Sequence, residues 1–419
     1  MKRIARAIAA SLLALVAHLI VRKYHPKIVM VTGSVGKTST KDALAATLSP
    51  RYFLRASEKS YNSEFGVPFT VLGVRNPWKN PVRWLWIAKE ALALIFLPNH
   101  YPSLLILEVG ADRPGDIARI LEIASPDAVV VTRLPEVPVH VEAYASPAAV
   151  REEEFMPAFA LPPGAPLIIA SDDVHARELS ARVSARLVTY GFGDADVALS
   201  DPDFAVEKGR AYGMRATVKV KGETKELVVR GSLGYQQLLP AAAALATAEA
   251  LGIDPKEALE ALREYVPPPG RGRLLKGIHG SVLIDDTYNS SPIAALEALQ
   301  TLADYPMARG GGRRVAVLGD MLELGRYSVA EHERIGRRAK NVADLVVTVG
   351  IRARSMGGAQ SFDDAYTAAT YLRNEVRAGD IVLIKGSQSV RLERITEALL
   401  ADASSATQLV RQEREWRAR

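Results

Sequence analysis

Short apolar runs alternate along the chain with longer segments whose apolar residues recur at helical spacing, the order expected of a parallel α/β sheet. Residues 28–32, 104–108, 128–132 and 167–170 predict buried strands, each followed by a loop and a helix-like segment. From about 197 to 229 the pattern turns to alternation, as in Ala216-Thr217-Val218-Lys219-Val220-Lys221, and predicts a small antiparallel section. Helical spacing resumes in the alanine-rich 238–251. Pro267-Pro268-Pro269-Gly270 continues neither helix nor strand, so it marks a domain boundary. Beyond it, 282–284, 314–318, 345–349 and 381–384 predict strands, separated by helices such as 292–303 and 329–343, in a second and smaller parallel α/β unit.

Two apolar stretches need separate treatment. Residues 7–21 are preceded by Lys2, Arg3 and Arg6 and closed by Arg22 and Lys23. The pattern is that of a signal peptide, but a phosphate-binding type of turn follows soon after, with no small-residue cleavage site before it. The run is also short against the roughly 20 apolar residues of a spanning helix. An in-plane membrane helix or a helix packed on the protein remains. Residues 84–97 carry Trp84 and Trp86 near one end, with Arg83 and Lys89 as cations. A buried helix is the simpler expectation for this stretch alone; the two stretches together predict peripheral membrane contact.

A length of 419 residues implies two or three domains, and 48% hydrophobic with 24% charged residues is the composition of a folded globular protein. The net charge of +6 is spread among 47 acids, with only short basic runs such as Arg313-Arg314 and Arg337-Arg338. No nucleic-acid partner is therefore expected, and a polyanionic small molecule or an anionic membrane surface accounts for the surplus. The absence of cysteine excludes disulfides, thiolate zinc sites and cysteine nucleophiles, and fits the cytoplasm.

The strongest local signal is Val29-Met30-Val31-Thr32-Gly33-Ser34-Val35-Gly36-Lys37-Thr38-Ser39, a buried strand turning through glycines into a helix. Such a turn aims backbone N–H groups at a phosphate, the helix N-terminus adds its positive end, Lys37 reaches the outer phosphates and Thr38 is placed to hold magnesium. Val31 stands where the eight-residue pattern has its first glycine, so the general motif is only partly matched.

Glu108 ends a buried strand, where a carboxylate can coordinate magnesium, although a solvated strand-end acid would look the same. His140 is a weaker signal, since a lone histidine is more often structural. Past the prolines, Asp285-Asp286-Thr287-Tyr288-Asn289 puts acids and an amide at another strand end. Lys385-Gly386-Ser387-Gln388-Ser389-Val390-Arg391 reads as a strand-to-helix turn with a cation. Capping of helices by Ser291 or Ser389 is the structural alternative there. Arg271 follows the hinge glycine Gly270, from which it can swing onto a phosphate.

In this order, Thr32-Gly33-Ser34-Val35-Gly36-Lys37-Thr38, Asn62-Ser63-Glu64-Phe65-Gly66-Val67-Pro68, Glu108-Val109-Gly110-Ala111, Pro269-Gly270-Arg271, Asp285-Asp286-Thr287-Tyr288-Asn289, Val317-Leu318-Gly319-Asp320-Met321-Leu322-Glu323-Leu324-Gly325 and Lys385-Gly386-Ser387 resemble the Mur ligase family of cell-wall peptide synthesis. The resemblance runs from about residue 28 to 395, and the fifth and sixth stretches are far more specific than the P-loop.

The resemblance implies a central P-loop-type ATPase domain over 27–268, preceded by an apolar and basic helix over 1–26, and a Rossmann-like C-terminal domain over 269–419 that closes on it. It implies ATP and Mg2+ as cofactors, with Gly33, Ser34, Val35, Gly36, Lys37, Thr38 and Ser39 around the phosphates and Thr38, Glu108 and His140 at magnesium. Gln237, Arg271, Asp286 and Asn289 are implied at the nucleotide, and Asn62, Tyr288, Lys385, Ser387 and Arg391 at the substrates. The implied reaction activates a carboxylate of a cell-wall precursor as an acyl phosphate, which an amine, D-alanyl-D-alanine, then attacks. Positioning and charge neutralisation suffice for such phosphoryl transfer.

The sequence departs from the family in three places. Members of this type carry an N-terminal uridine-binding domain, whereas only residues 1–26 precede the first strand here, so UDP-sugar recognition is expected to be missing or replaced by membrane proximity or a partner. Glu154 stands where the family has a carbamylated lysine; it already bears a carboxylate and is expected to substitute without carbon dioxide, with a solvated acidic face, or Glu153 in its place, as alternatives. Gln237 offers an amide where the family often has a His-Asn pair near adenine.

The leading expectation is a monomeric, cytoplasmic amide-forming ligase, sited at the inner face of the cytoplasmic membrane if the apolar stretches touch it. The alternatives are the same chemistry on a different, for instance lipid-linked, acceptor, or an ATP-binding scaffold without activity. A simple P-loop kinase or GTPase leaves 270–395 unexplained.

Overall fold

A computed structural model describes residues 2–57, 60–77, 80–307 and 311–417; the side chains of Lys2, Arg3 and Arg6, the expected basic flank, lie outside the described residues. The chain forms two compact units, the first of Met1–Ser200, Val218–Lys225 and Leu239–Tyr265, the second of Asp201–Thr217, Glu226–Leu238 and Val266–Arg419.

In the first unit, β1 (Lys27–Thr32), β2 (Leu54–Ala56), β3 (Leu104–Glu108), β4 (Ala128–Val131), β5 (Pro166–Ala170) and β6 (Arg186–Phe192) form a parallel sheet in the order β2-β3-β1-β4-β5-β6. β3 and β4 are buried along their whole length, as is β1 after Lys27, because helices cover both faces. β7 (Val197–Glu207), β8 (Arg210–Val220) and β9 (Glu223–Arg230) follow in the chain, with most of their residues in the second unit. The last three are joined by Lys208-Gly209 and Lys221-Gly222, each with two positive φ angles, which is the geometry of tight antiparallel hairpins.

The accompanying helices are α1 (Lys2–Tyr24), α2 (Lys37–Leu48), α3 (Gly66–Leu72), α4 (Pro81–Phe96), α5 (Asp116–Ile123), α6 (Pro147–Phe159), α7 (Val174–Ser180), α8 (Leu238–Ala250) and α9 (Pro255–Ala261). α4 corrects the expectation of a buried helix: only Ile87, Ala91 and Leu94 are buried, while Val82, Leu85, Leu92 and Phe96 face outward. Apolar content alone did not reveal that the helix has a single inward stripe. No helix among the described residues is long and apolar enough to cross a membrane.

The second unit carries β10 (Arg273–Lys276), β11 (Val282–Asp286), β12 (Arg314–Gly319), β13 (Leu345–Val349), β14 (Gln360–Phe362) and β15 (Ile381–Lys385) in the order β10-β11-β15-β12-β13-β14, all parallel except the edge strand β10. Around it lie α10 (Pro292–Asp304), α11 (Ser328–Val342), α12 (Ala365–Glu375) and α13 (Glu393–Leu399). This is the Rossmann-like α/β arrangement expected, and the carboxyl ends of β11 and β15 lie side by side with Asp286 opposite Lys385.

Candidate active site

In the first unit the glycine turn joins the end of β1 to the start of α2. Gly33 has φ 114° and Gly36 φ 92°, and a Cβ on Gly33 would overlap Thr132 Oγ1, so the turn needs glycine for both conformation and space. Ser34 N donates to the carbonyl of Arg133 (2.8 Å) and Val35 bridges to Arg133, which pins the turn to the segment after β4. Gly36 is the N-cap of α2, and no side chain caps the first turn. The leading N–H groups of that helix are thus left to an anion. Lys37 Nζ donates to the Gly33 carbonyl within the same turn.

Thr38 Oγ1 donates to Glu108 Oε1 (3.2 Å) and hydrogen-bonds Ser60 Oγ (2.9 Å). Glu108 is only 1% exposed, and its backbone N–H donates to Ser57 Oγ (3.2 Å). Gly110 N donates to the Asn62 carbonyl (3.1 Å), and the open side of Gly110 faces both the Asn62 amide and the Lys37 stem. Asn62, Lys37, Thr38 and Glu108 are therefore gathered at the strand ends. Ser39 is buried, and its carbonyl accepts from Tyr265 Oη (3.2 Å).

α6 delivers Glu154 to the same turn. Its Oε2 accepts from Ser34 Oγ (2.5 Å), its Oε1 lies 3.9 Å from Lys37 Nζ, and its carbonyl accepts from Thr32 Oγ1 (2.5 Å). Burial raises its pKa above the ordinary glutamate value, and Lys37, the Ser34 hydroxyl and His140 act in the opposite direction. The expectation of a solvated acidic face does not hold for this residue, which is buried. The helical register also separates it from Glu153, whose carboxylate accepts from Gly115 N and Ile117 N and caps α5. His140 has φ 66° and its Nε2 lies 3.7 Å from Asp112 Oδ1.

A nucleotide phosphate and Mg2+ fit these groups: an uncapped helix N-terminus faces the anion, and Thr38 with Glu108 offers hard oxygen ligands. No cluster of three or more His, Asp or Glu able to hold a metal occurs among the described residues. Magnesium sites of this kind draw their remaining ligands from phosphate and water.

In the second unit, Asp286 pairs with Lys385 (2.7 Å), whose Nζ also donates to the Asn289 carbonyl (3.0 Å). Lys385 is buried within the unit, and a 3-10 turn, Gln388–Val390, follows it rather than an α-helix, which begins only at Glu393. That corrects the expected strand-to-helix turn, and with it the capping role of Ser389. Ser291 does cap α10, accepting from Ala294 N (3.4 Å). Ser387 Oγ accepts from Leu322 N (2.9 Å) and Ser387 N donates to the Asp320 carbonyl (2.9 Å). Arg391 donates to Glu393 (2.5 Å) and lies over the Trp416 ring, so its guanidinium is occupied within the unit.

The Arg271 guanidinium stacks 4.1 Å from the Tyr288 ring centroid, and Tyr288 N donates to the Gly270 carbonyl (3.1 Å). Gln237 is buried with its amide against Gly272. Beneath the loop, Asp285 accepts from Thr287 (2.7 Å) and Thr396 (3.0 Å), and burial pushes its carboxyl up to about 6. Sequence reasoning missed Ser57 and Ser60, which carry no motif, and Arg411, which donates to the carbonyls of Thr287 and Tyr288 and to Glu393. It also missed His332, whose Nε2 accepts from Met321 N (2.9 Å) and whose pKa burial lowers.

Residues 270–388 match the family model described as "Mur ligase, glutamate ligase domain". The chain is 30% identical over 405 residues to the UDP-N-acetylmuramoyl-tripeptide–D-alanyl-D-alanine ligase of Mycobacterium bovis, covering 90% of this chain and 73% of that one. The enzyme of the same name from Bacillus subtilis is 28% identical over 386 residues, covering 89% and 76%. Among solved structures, a MurF ligase from Thermotoga maritima in complex with ADP superposes with a TM-score of 0.76 at 27% identity, covering 93% of this chain and 83% of that one. A folylpolyglutamate synthase from Mycobacterium tuberculosis, at 15% identity and a TM-score of 0.64, shares the fold.

Proposed function

The chain belongs to the Mur ligase family and is an ATP- and Mg2+-dependent acid–amino-acid ligase; from that premise we propose that it joins D-alanyl-D-alanine, or a closely similar amino compound, to the peptide of a UDP-N-acetylmuramoyl tripeptide. The relatives bearing that name support this choice of substrates. The observation that carries the reading is the glycine turn with its uncapped helix, set beside Thr38 and the buried Glu108.

In this mechanism the backbone N–H groups at the uncapped start of α2 hold the ATP phosphates, and Lys37 exchanges the Gly33 carbonyl for phosphate oxygen. Thr38 and Glu108 would hold Mg2+, which when bound offsets the charge on the phosphates. His140 would add a further ligand or a hydrogen bond at that site. An oxygen of the substrate carboxylate attacks the terminal phosphorus and ADP leaves, giving an acyl phosphate. The amine then attacks the acyl carbon, phosphate departs, and the amine loses a proton as the amide forms.

Glu154 takes the place of a carbamylated lysine in this reading. Its carboxylate holds Ser34 and faces Lys37 without any need for carbon dioxide. Purified protein tested for phosphate release with the tripeptide and D-alanyl-D-alanine, and with each omitted in turn, checks the proposal. Release that requires both is expected; release indifferent to the amine would reject it.

A further inference from the structure

The outward faces of α1 and α4 carry large apolar side chains that neither the core nor the nucleotide site uses. On α1, Leu13, Ala17 and Ile20 pack inward, while Ile8, Leu12, Leu15 and Leu19 are exposed. These four recur at steps of four and three residues and so line one stripe of the helix. On α4, Leu85 is 73% and Phe96 74% exposed, beside Val82, Leu92 and Trp86.

The two stripes open toward the same side of the first unit. The inward residues of both helices join one cluster with Ile28, Met30, Leu105 and Leu107, so both cover the same face of the sheet. Their C-terminal ends are tied together: Lys23 Nζ donates to the carbonyls of Leu94 (2.8 Å), Ile95 (3.0 Å) and Leu97 (2.7 Å), and Tyr24 Oη donates to Leu94 (2.9 Å). Lys23 thereby caps α4 and fixes the pair as one platform.

The charge around the stripes is one-sided. Arg22, Arg83 and Lys89 are exposed, with His18, His25 and His100 also at the surface. The sequence of α1 contains no acid, and that of α4 contains only Glu90, which is half-buried.

We propose that this face docks on an anionic lipid bilayer, with α1 and α4 lying in the membrane plane, their apolar stripes at the acyl boundary and the cations among the head groups. The charge selects this occupant over a second copy of the chain, which would bring the same cations against themselves. Lys89, within the α4 stripe, has a long enough stem to reach the head groups while Leu85, Leu92 and Phe96 are submerged. Trp86, at the edge of the stripe, suits the interface between water and hydrocarbon. The inference does not depend on the substrates of the ligase.

The test is flotation of the full-length protein with vesicles of phosphatidylcholine alone or mixed equally with phosphatidylglycerol, at low and high salt. The parent is expected to float with the anionic vesicles only, to be released by salt and to show blue-shifted tryptophan emission when bound. Leu12→Gln/Leu15→Gln/Leu85→Gln/Phe96→Gln should bind at least about tenfold more weakly, as should Arg22→Glu/Arg83→Glu, both with unchanged ligase activity in solution. Failure of the parent to float with anionic vesicles, equal binding to neutral ones, or undiminished binding by both variants overturns the proposal. So does self-association of the parent in vesicle-free sedimentation that the apolar variant abolishes, since the face would then cover a second copy.

Discussion

Replacing Glu154 by glutamine separates a working carboxylate from a filler of space. The side chain is 1% exposed and keeps its size in the variant, and the carbonyl accepting from Thr32 is untouched. What changes is the hydrogen bond from Ser34, which goes from a charged acceptor to a neutral one, and the attraction to Lys37 3.9 Å away. A hydrogen bond to a charged group contributes about 1.5–3 kcal/mol against about 1 for a neutral pair, so the loss is about 1–2 kcal/mol, or about 5- to 30-fold in kcat. The stability effect has the opposite sign. Burial holds the Glu154 pKa above its unfolded value, so the desolvated charge costs the native state stability above that raised pKa, and the cost shrinks as pH falls through it and is gone below the unfolded value. Glu154→Gln should therefore keep or raise Tm at neutral pH while kcat falls, and should lose the acidic limb of the parent's pH–rate profile. The assay is steady-state phosphate release with and without bicarbonate, paired with thermal unfolding. Parent and Glu154→Gln should both ignore bicarbonate, whereas Glu154→Lys should be revived by it. A Gln variant with parental kcat, or a parent that requires bicarbonate, refutes the reasoning.

Thr38→Ala or Glu108→Gln should lower kcat/KM by about 10²–10³-fold with Tm little changed, because each removes an oxygen from the phosphate–magnesium site; Mg2+ titrations of the rate should shift to higher concentration. Gly33→Ala forces a Cβ toward Thr132 Oγ1 at φ 114°, so ADP binding measured by calorimetry should be lost. Asp285, at about 6 against an ordinary 3.8, carries a cost of about 3 kcal/mol when ionised well above pH 6, relieved as pH falls toward 4; Asp285→Asn should unfold at a higher temperature than the parent at pH 8, with the gap closing by pH 4. Arg411→Ala should destabilise the second unit by about 1.5–3 kcal/mol, read from denaturant unfolding, because it removes a charged hydrogen bond to the buried Glu393 carboxylate, which keeps Arg391, and leaves the Thr287 and Tyr288 carbonyls without their donor.

What the sequence made legible was whatever periodicity and turn chemistry encode. The strands at 28–32, 104–108 and 314–318 are continuous apolar runs because helices cover both faces of the sheet, and Gly33 and Gly36 announced a turn with positive φ. β2, β10 and β14 were missed, since three or four residues give no period to detect, and β6, because its first two positions are exposed. The loop after β2 therefore gave no hint that Ser57 and Ser60 stand beside Glu108 and Thr38. Spacing could not choose between Glu153 and Glu154, because only the rotation of α6 decides which of two neighbours meets Ser34 and which caps α5. Lys385 and Arg391 looked like free cations in sequence; their pairing with Asp286 and Glu393 depends on the register of β11 with β15 and on the start of α13.

The account rests on transfer of the terminal phosphoryl group of ATP to a carboxylate oxygen, and isotope tracing tests that transfer most directly. The tripeptide substrate, labelled with oxygen-18 in its reacting carboxylate, is turned over with ATP, Mg2+ and D-alanyl-D-alanine, and the released phosphate is analysed by mass spectrometry. One labelled oxygen in each phosphate is the predicted result. Phosphate carrying only unlabelled oxygen, formed while amide product accumulates, would contradict it.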